Sequence, residues 1–281
     1  SWRFRCARQP RRTLTSTRYE ASPLSFCHLA KRWWDGETKW NKLWTSSNKI
    51  VISHHYLDDY VPNKIEFVSE QIKNIFYREL VIEEGKHHVF HAYSGFYNSG
   101  FDEAICFSID GSGADLKDNK VEIETIYLLK KNQKEKIIHQ KVRDRGKFEK
   151  IDGVVYQSCN ASYSQLSVGE KFNQYSESIN YHMLEGPGKI MGLAQYKNHK
   201  DKLQYPYNSE EWKQRVDDSY KLQQETQNYI LELIKKYVKE TGIKNVVISG
   251  GYGLNCVANY HYLKNLSNIN LYVDPICFDA G

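Results

Sequence analysis

Three histidines stand close together in His87-His88-Val89-Phe90-His91, and a carboxylate ends an apolar run in Ile109-Asp110-Gly111-Ser112-Gly113. On a helix, residues four apart share a face, so His87 and His91 can offer two imidazoles to one cation while Asp110 adds an oxygen from a strand end. A spacing of three also brings His88 near His91, but the i, i+4 pair shares the better face. Two satisfied histidines on an ordinary helix are the competing reading.

Three further segments have glycine where a backbone could approach an anion. Gly111-Ser112-Gly113 follows a strand pattern, and successive amides there can face a phosphate; a hairpin turn uses the same residues. Ser249-Gly250-Gly251 opens from an apolar run into glycines just before a helix, which suits a nucleotide phosphate or sugar and equally a plain strand-to-helix connection. Gly188-Lys189-Ile190-Met191-Gly192 lacks the G-x-x-x-x-G-K-[ST] spacing, so a Walker site is rejected, and Lys189 is kept as a phosphate or substrate contact. Asp279 sits near the end, in Asp274-Pro275-Ile276-Cys277-Phe278-Asp279-Ala280-Gly281, where an isolated carboxylate would ordinarily face solvent.

The elements that must position these residues come from ordinary globular composition: 281 residues, 40% hydrophobic and 26% charged, with a net charge of +5. Residues 1–19 hold six arginines and no acid. That front reads as a solvated tail, with an arm for nucleic acid or a transit peptide as alternatives. No run of 18 apolar residues predicts a membrane span. The six cysteines form no C-x-x-C pair, which argues against a disulfide framework or a structural zinc site and for a reducing, cytoplasmic setting. The triplets beginning at Asn160 and Asn265 match the glycosylation pattern by composition alone.

Periodicity predicts a short helix around Leu24 to Trp34, a strand over 49–53, a helix over Ile65 to Leu80, a short strand over 80–82, and a helix or turn from His87 to Tyr97 ending near Gly100. From Glu103 the pattern becomes strand (104–109), turn (110–113), strand (121–129), polar turn (130–135) and strand (136–142), which reads as an antiparallel meander. Helical material over 162–184 and the segment Gly186 to Ala194 follow. A long helix from Glu210 to Glu240 has Ile230, Leu233, Ile234 and Tyr237 as its apolar stripe and Gly242 as its stop. Strand 245–249, a turn at Gly250-Gly251, helix 254–266 and strand 269–273 complete the chain. Residues 49–86 repeat the end of that order, so the chain reads as the tail of one copy followed by most of a second.

Five segments in this order, HHVFHAYSGFY, FDEAICFSIDGSG, GPGKIMGLAQY, VVISGGYGLNCVAN and DPICFDAG, resemble the NodU/CmcH family of carbamoyltransferases, in its N-terminal domain. The resemblance runs from about Lys49 to Gly281. It implies an α/β, actin-like ATPase (ribonuclease H-like) duplicated fold with mixed five-stranded sheets flanked by helices. It also implies three parts: a basic segment over 1–48, a remnant of the first subdomain with the histidine helix over 49–102, and the second subdomain over 103–281. Residues 1–48 show no counterpart of the family's first phosphate loop, and the sequence stops at Gly281 short of a second domain. The expectation is a truncated member whose first half is incomplete.

The resemblance assigns His87, His91, Asp110 and Asp279 as metal ligands, with Fe2+ as the implied ion. It places Gly111, Ser112, Gly113, Ser249, Gly250, Gly251 and Asn255 around ATP or carbamoyl-adenylate. The implied activity is carbamoyl transfer from an adenylate, made from carbamoyl phosphate and ATP, to a hydroxyl of a small-molecule acceptor. Lys189 and Glu185 are weak candidates for a catalytic role, since Pro187 stands where the family commonly has an acid. A homodimer is compatible, while no membrane or nucleic-acid partner is expected. An inactive nucleotide- or partner-binding remnant and a tRNA threonylcarbamoyl-transfer-like protein are the alternatives.

Overall fold

The computed structural model describes residues 49–52, 70, 79–82, 86–145, 147–151, 154–158, 161–182 and 185–277. The basic segment 1–48, nearly all of the helix expected over 65–80, the helix expected around 24–34, and Asp279 lie outside the described residues. The chain divides into two compact units, Ser1–Ile50 with Gln71–Leu80 and Val51–Glu70 with Val81–Gly281. The larger one carries the candidate site.

Two short strands, β1 (Lys49–Ile52) and β2 (Glu79–Ile82), precede helix α1 (His87–Ser99). Gly100, at φ 75°, closes that helix in the left-handed conformation that glycine takes without strain. The sheet is built from β3 (Glu103–Ile109), β5 (Lys120–Lys130) and β6 (Lys136–Asp144), then β9 (Asn245–Ser249) and β10 (Asn270–Val273), with the two-residue β4 (Asp115–Leu116) also on β5. Strand β3 is antiparallel to β5 and parallel to β9, β9 is parallel to β10, and β5 is antiparallel to β6. This is the expected meander joined to a parallel half.

Alternation along each strand sorts its side chains to two faces. Ile105, Phe107 and Ile109 of β3 join Ile126, Val246 and Ile248 in one core. Ala104 and Cys106 join Tyr127, Leu129 and Val247 in another, beneath Val89, Ala92 and Phe96 of α1. Both faces are apolar because both are covered, which is why β3 reads as a continuous hydrophobic run. Helix α4 (Glu210–Thr241) lays Ile230, Leu231, Ile234 and Tyr237 on the first face, at spacings that form one stripe. Each fully buried side chain of this size contributes about 1.5–3 kcal/mol. Ser209 caps its start, and Gly242, at φ 73°, ends it as the sequence predicts. Among the described residues no helix is long and apolar enough to cross a membrane.

The connection between β6 and α4 departs from expectation. Ahead of the helical stretch expected over 162–184 the chain makes an unexpected hairpin of β7 (Lys147–Ile151) and β8 (Val154–Ser158), and within that stretch it makes a 3-10 turn at Tyr163–Gln165 and then helix α2 (Val168–Ser178). Two capping boxes explain the break. Ser162 with Gln165 and Ser167 with Glu170 each start a separate helical turn, and Leu166 between them is extended. Helix α3 (Gly186–Ala194) follows, with Pro187 in its first turn, where the missing amide proton costs nothing. Helix α5 (Cys256–Asn265) links β9 to β10.

Candidate metal centre

Because β3, β9 and β10 are parallel, their carboxyl ends reach the same edge of the sheet, and Asp110, Gly250 and Asp274 stand just past them. That edge is the usual ligand-binding position of such sheets. Helix α1 leads into β3 through a short connection and packs on the sheet, so its N-terminal histidines come to the far end of β3. His87 Nε2 lies 3.3 Å and His91 Nε2 3.2 Å from the same Asp110 oxygen, Oδ2. One ligand atom from each of the three lies within 4.8 Å of the other two. The imidazoles meet edge to face, their centroids 4.7 Å apart.

This donor set fits a divalent transition ion: two imidazole nitrogens and one carboxylate converging on one point, all three residues at least partly shielded. Burial works to raise the Asp110 carboxyl, but hydrogen bonds from His87 and His91, the charge of His91 and the Gly111 amide outweigh it. The group is held well below the usual carboxylate range. An ionised ligand is what a cation needs.

The surroundings are shaped by close backbone approach. Gly250 has φ 85° and ψ 160°, and a Cβ there would fall 2.4 Å from the Ile109 carbonyl oxygen. A Cβ on Gly251 would fall 2.9 Å from Asp110 Oδ1, and one on Gly169, in the first turn of α2, 2.9 Å from the Asp110 carbonyl. Glycine at these positions lets three chain segments crowd round Asp110.

The 110–114 loop is tied down by its own bonds. The Gly111 amide donates to Asp110 Oδ1 at 2.6 Å, the Gly113 amide to the Glu122 carbonyl at 2.7 Å, and the Ala114 amide to Glu122 Oε2 at 3.3 Å. Gly113 lies directly against the His88 ring, whose Nδ1 is 2.9 Å from Thr125 Oγ1. His88 therefore turns to the sheet and supports the loop from below. Burial raises the Glu122 carboxyl, opposed by the Ala114 amide and Gln140.

Ser167 links the loop to α2 through one hydroxyl, which donates to the Gly111 carbonyl at 2.7 Å and accepts from the Glu170 amide at 2.9 Å. Arg143 on β6 grips Glu170, the other half of that capping box. Ser167→Ala is expected to cost about 1 kcal/mol through the lost cap, read as a lower urea midpoint. An unchanged midpoint would remove this role.

The other residues singled out from the sequence are placed as follows. Ser249 is buried and directs its hydroxyl to Asp274. Asn255 accepts from the Ala258 amide as the cap of α5 and exchanges amide hydrogen bonds with Gln223 of α4, so its side chain is engaged within the protein. Ser112 is half-buried in the loop beside Asp110. Glu185 and Lys189 pair with each other at 2.7 Å on the surface, with side chains 67% and 50% exposed. They are not drawn into the histidine cluster. The sequence carries no local sign that Asp274 belongs beside the histidine cluster; for Ser94 the one sign is that it continues the His87 and His91 face, three residues beyond His91.

No protein-family profile matches the chain. It is 23% identical over 208 residues to nodulation protein NolNO of Sinorhizobium fredii, a match covering 69% of this chain and 29% of that protein. It is 33% identical over 66 residues to the uncharacterized protein sll1178 of Synechocystis, covering 24% of this chain and 11% of the relative. The chain therefore spans less than a third of the length of the curated relatives it matches. HypF from T. kodakarensis superposes with a TM-score of 0.52 at 15% identity, covering 81% of this chain and 37% of that one, which shows the fold. The fold is α/β and actin-like, with a mixed sheet flanked by helices. Within it the chain resembles carbamoyltransferases of the NodU/NolO type.

Proposed function

We propose that this chain is the nucleotide- and metal-handling part of an O-carbamoyltransferase. It would take a carbamoyl group from carbamoyl-adenylate and pass it to a hydroxyl of a small-molecule acceptor. The observation that carries this reading is the convergence of His87, His91 and Asp110 beside the glycine-lined ends of β3 and β9. The likeness to nodulation protein NolNO supports it.

In such a transfer the acceptor oxygen bonds to the carbamoyl carbon, and the bond from that carbon to the adenylate phosphate oxygen breaks. The acceptor proton passes to a base, and AMP leaves carrying the new negative charge. Catalysis then depends on stabilising that charge where it develops. A divalent ion, with Fe2+ the one the resemblance implies, would supply that stabilisation and polarise the group being transferred. His87, His91 and Asp110 would hold it, and Asp279 is the further ligand proposed from the family pattern. Gly250 and Gly251 leave their segment open to close approach by a ligand, while the tied 110–114 loop keeps Asp110 in place without reorganisation.

Titration calorimetry with a non-hydrolysable carbamoyl-adenylate analogue tests this. Binding is expected to strengthen at least about tenfold, or about 1.4 kcal/mol, when the metal is supplied. That gain should vanish in Asp110→Ala. Binding that ignores both the metal and Asp110 would overturn the reading.

A further inference from the structure

The ends of β9 and β10 carry a second carboxylate. Asp274 is fully buried, and among the described residues its side-chain hydrogen bonds come from two hydroxyls and one amide. Ser94 donates to Oδ2 at 2.9 Å and Ser249 to the same oxygen at 3.4 Å, while the Ile276 amide donates to Oδ1 at 3.2 Å. None of these donors is charged. A buried carboxylate is costly unless its charge is balanced, and three neutral donors only satisfy its lone pairs.

Its position explains what the carboxylate could serve. Ser94 lies three residues beyond His91 and seven beyond His87, so one face of α1 carries both histidines and the hydroxyl that Asp274 holds. At the adjacent Gly95 the helix comes close to the sheet: a Cβ there would fall 2.6 Å from Val247 Cγ1 and 3.6 Å from Asp274 Cβ. The hydrogen bond and the close contact together fix the height and rotation of α1 over the strand ends.

We infer that Asp274 is a positioning residue for the histidine site: through Ser94 it sets the register of α1 against Asp110. The inference rests on reading His87, His91 and Asp110 as metal ligands. Residues outside a metal's direct ligands that orient those ligands typically change affinity about 10- to 100-fold when removed.

The test is Co2+ affinity, measured by competition with a chelator, in the wild-type chain and in Ser94→Ala, Asp274→Ala, Asp274→Asn and Asp110→Ala. Ser94→Ala and Asp274→Ala are each expected to weaken binding about 10- to 100-fold and to alter the visible Co2+ spectrum. Asp274→Asn keeps an oxygen for the Ser94 hydroxyl and should recover part of the loss. The Ser94→Ala, Asp274→Ala double variant should bind little worse than Asp274→Ala alone, since the two act through one bond. Ser94→Ala removes a single hydroxyl and keeps the test available should Asp274→Ala not fold. If the wild-type chain binds no Co2+, the metal reading fails and this inference with it. If the wild type binds, Asp110→Ala does not, and Ser94→Ala and the Asp274 variants bind like wild type with an unchanged spectrum, only this inference is overturned.

Discussion

Alanine at His91 is expected to weaken divalent-metal binding by more than about 100-fold, beyond the range typical of residues that only orient a ligand. His87→Ala and Asp110→Ala should do the same, because the three residues supply all the ligand atoms that converge here among the described residues. His88→Ala gives the contrast. Its ring faces Thr125 and Gly113, away from the shared point, so the loss should appear in stability more than in metal content. Metal analysis after anaerobic purification and dialysis, with circular dichroism as the check on folding, separates the two. Stoichiometric metal in all three ligand variants would remove the site.

A second large effect is expected at Gly250. Its φ of 85° with ψ of 160° is a region open essentially to glycine alone, and an added Cβ would sit 2.4 Å from a backbone oxygen that cannot turn aside. Strain of this kind costs about 1–3 kcal/mol and overpacking about 1–3 more. Gly250→Ala should therefore lose about 3 kcal/mol or more, a large share of the 5–15 kcal/mol typical of a domain. The urea midpoint should fall with little change in slope. Gly192→Ala on α3 is the control, since nothing lies within 4 Å of its added Cβ and it should be neutral or slightly stabilising. Equal losses at both positions would contradict the packing described at the end of β9.

How far the sequence reveals this arrangement differs from element to element. Helix α4 is legible because its apolar stripe repeats over many turns and both ends carry caps. The β3, β5, β6 meander is legible because β-branched and aromatic runs alternate with polar turns. Strands β7 and β8 are missed although Asp152-Gly153, a common hairpin pair, stands between them; charges at Lys147, Glu149 and Lys150 hide the alternation. The break before α2 is missed because Ser167 caps in two directions at once, one of them a contact with Gly111 56 positions away. Asp274 is missed for a related reason: nothing in its local sequence marks it, and only the parallel pairing of β10 with β9 brings it beneath α1.

The His87, His91 and Asp110 cluster is legible as a hypothesis because helical spacing puts the histidines on one face and an apolar run ends at the aspartate. What the sequence leaves open, and the fold supplies, is that helix α1 and the end of β3 meet with both imidazoles on one carboxylate oxygen. The most direct test is X-ray absorption spectroscopy of the protein loaded with one equivalent of Fe2+ or Co2+. The account predicts a first shell with two imidazole nitrogens, reduced to one in His91→Ala. A metal-loaded protein whose spectrum shows no imidazole ligation would contradict it.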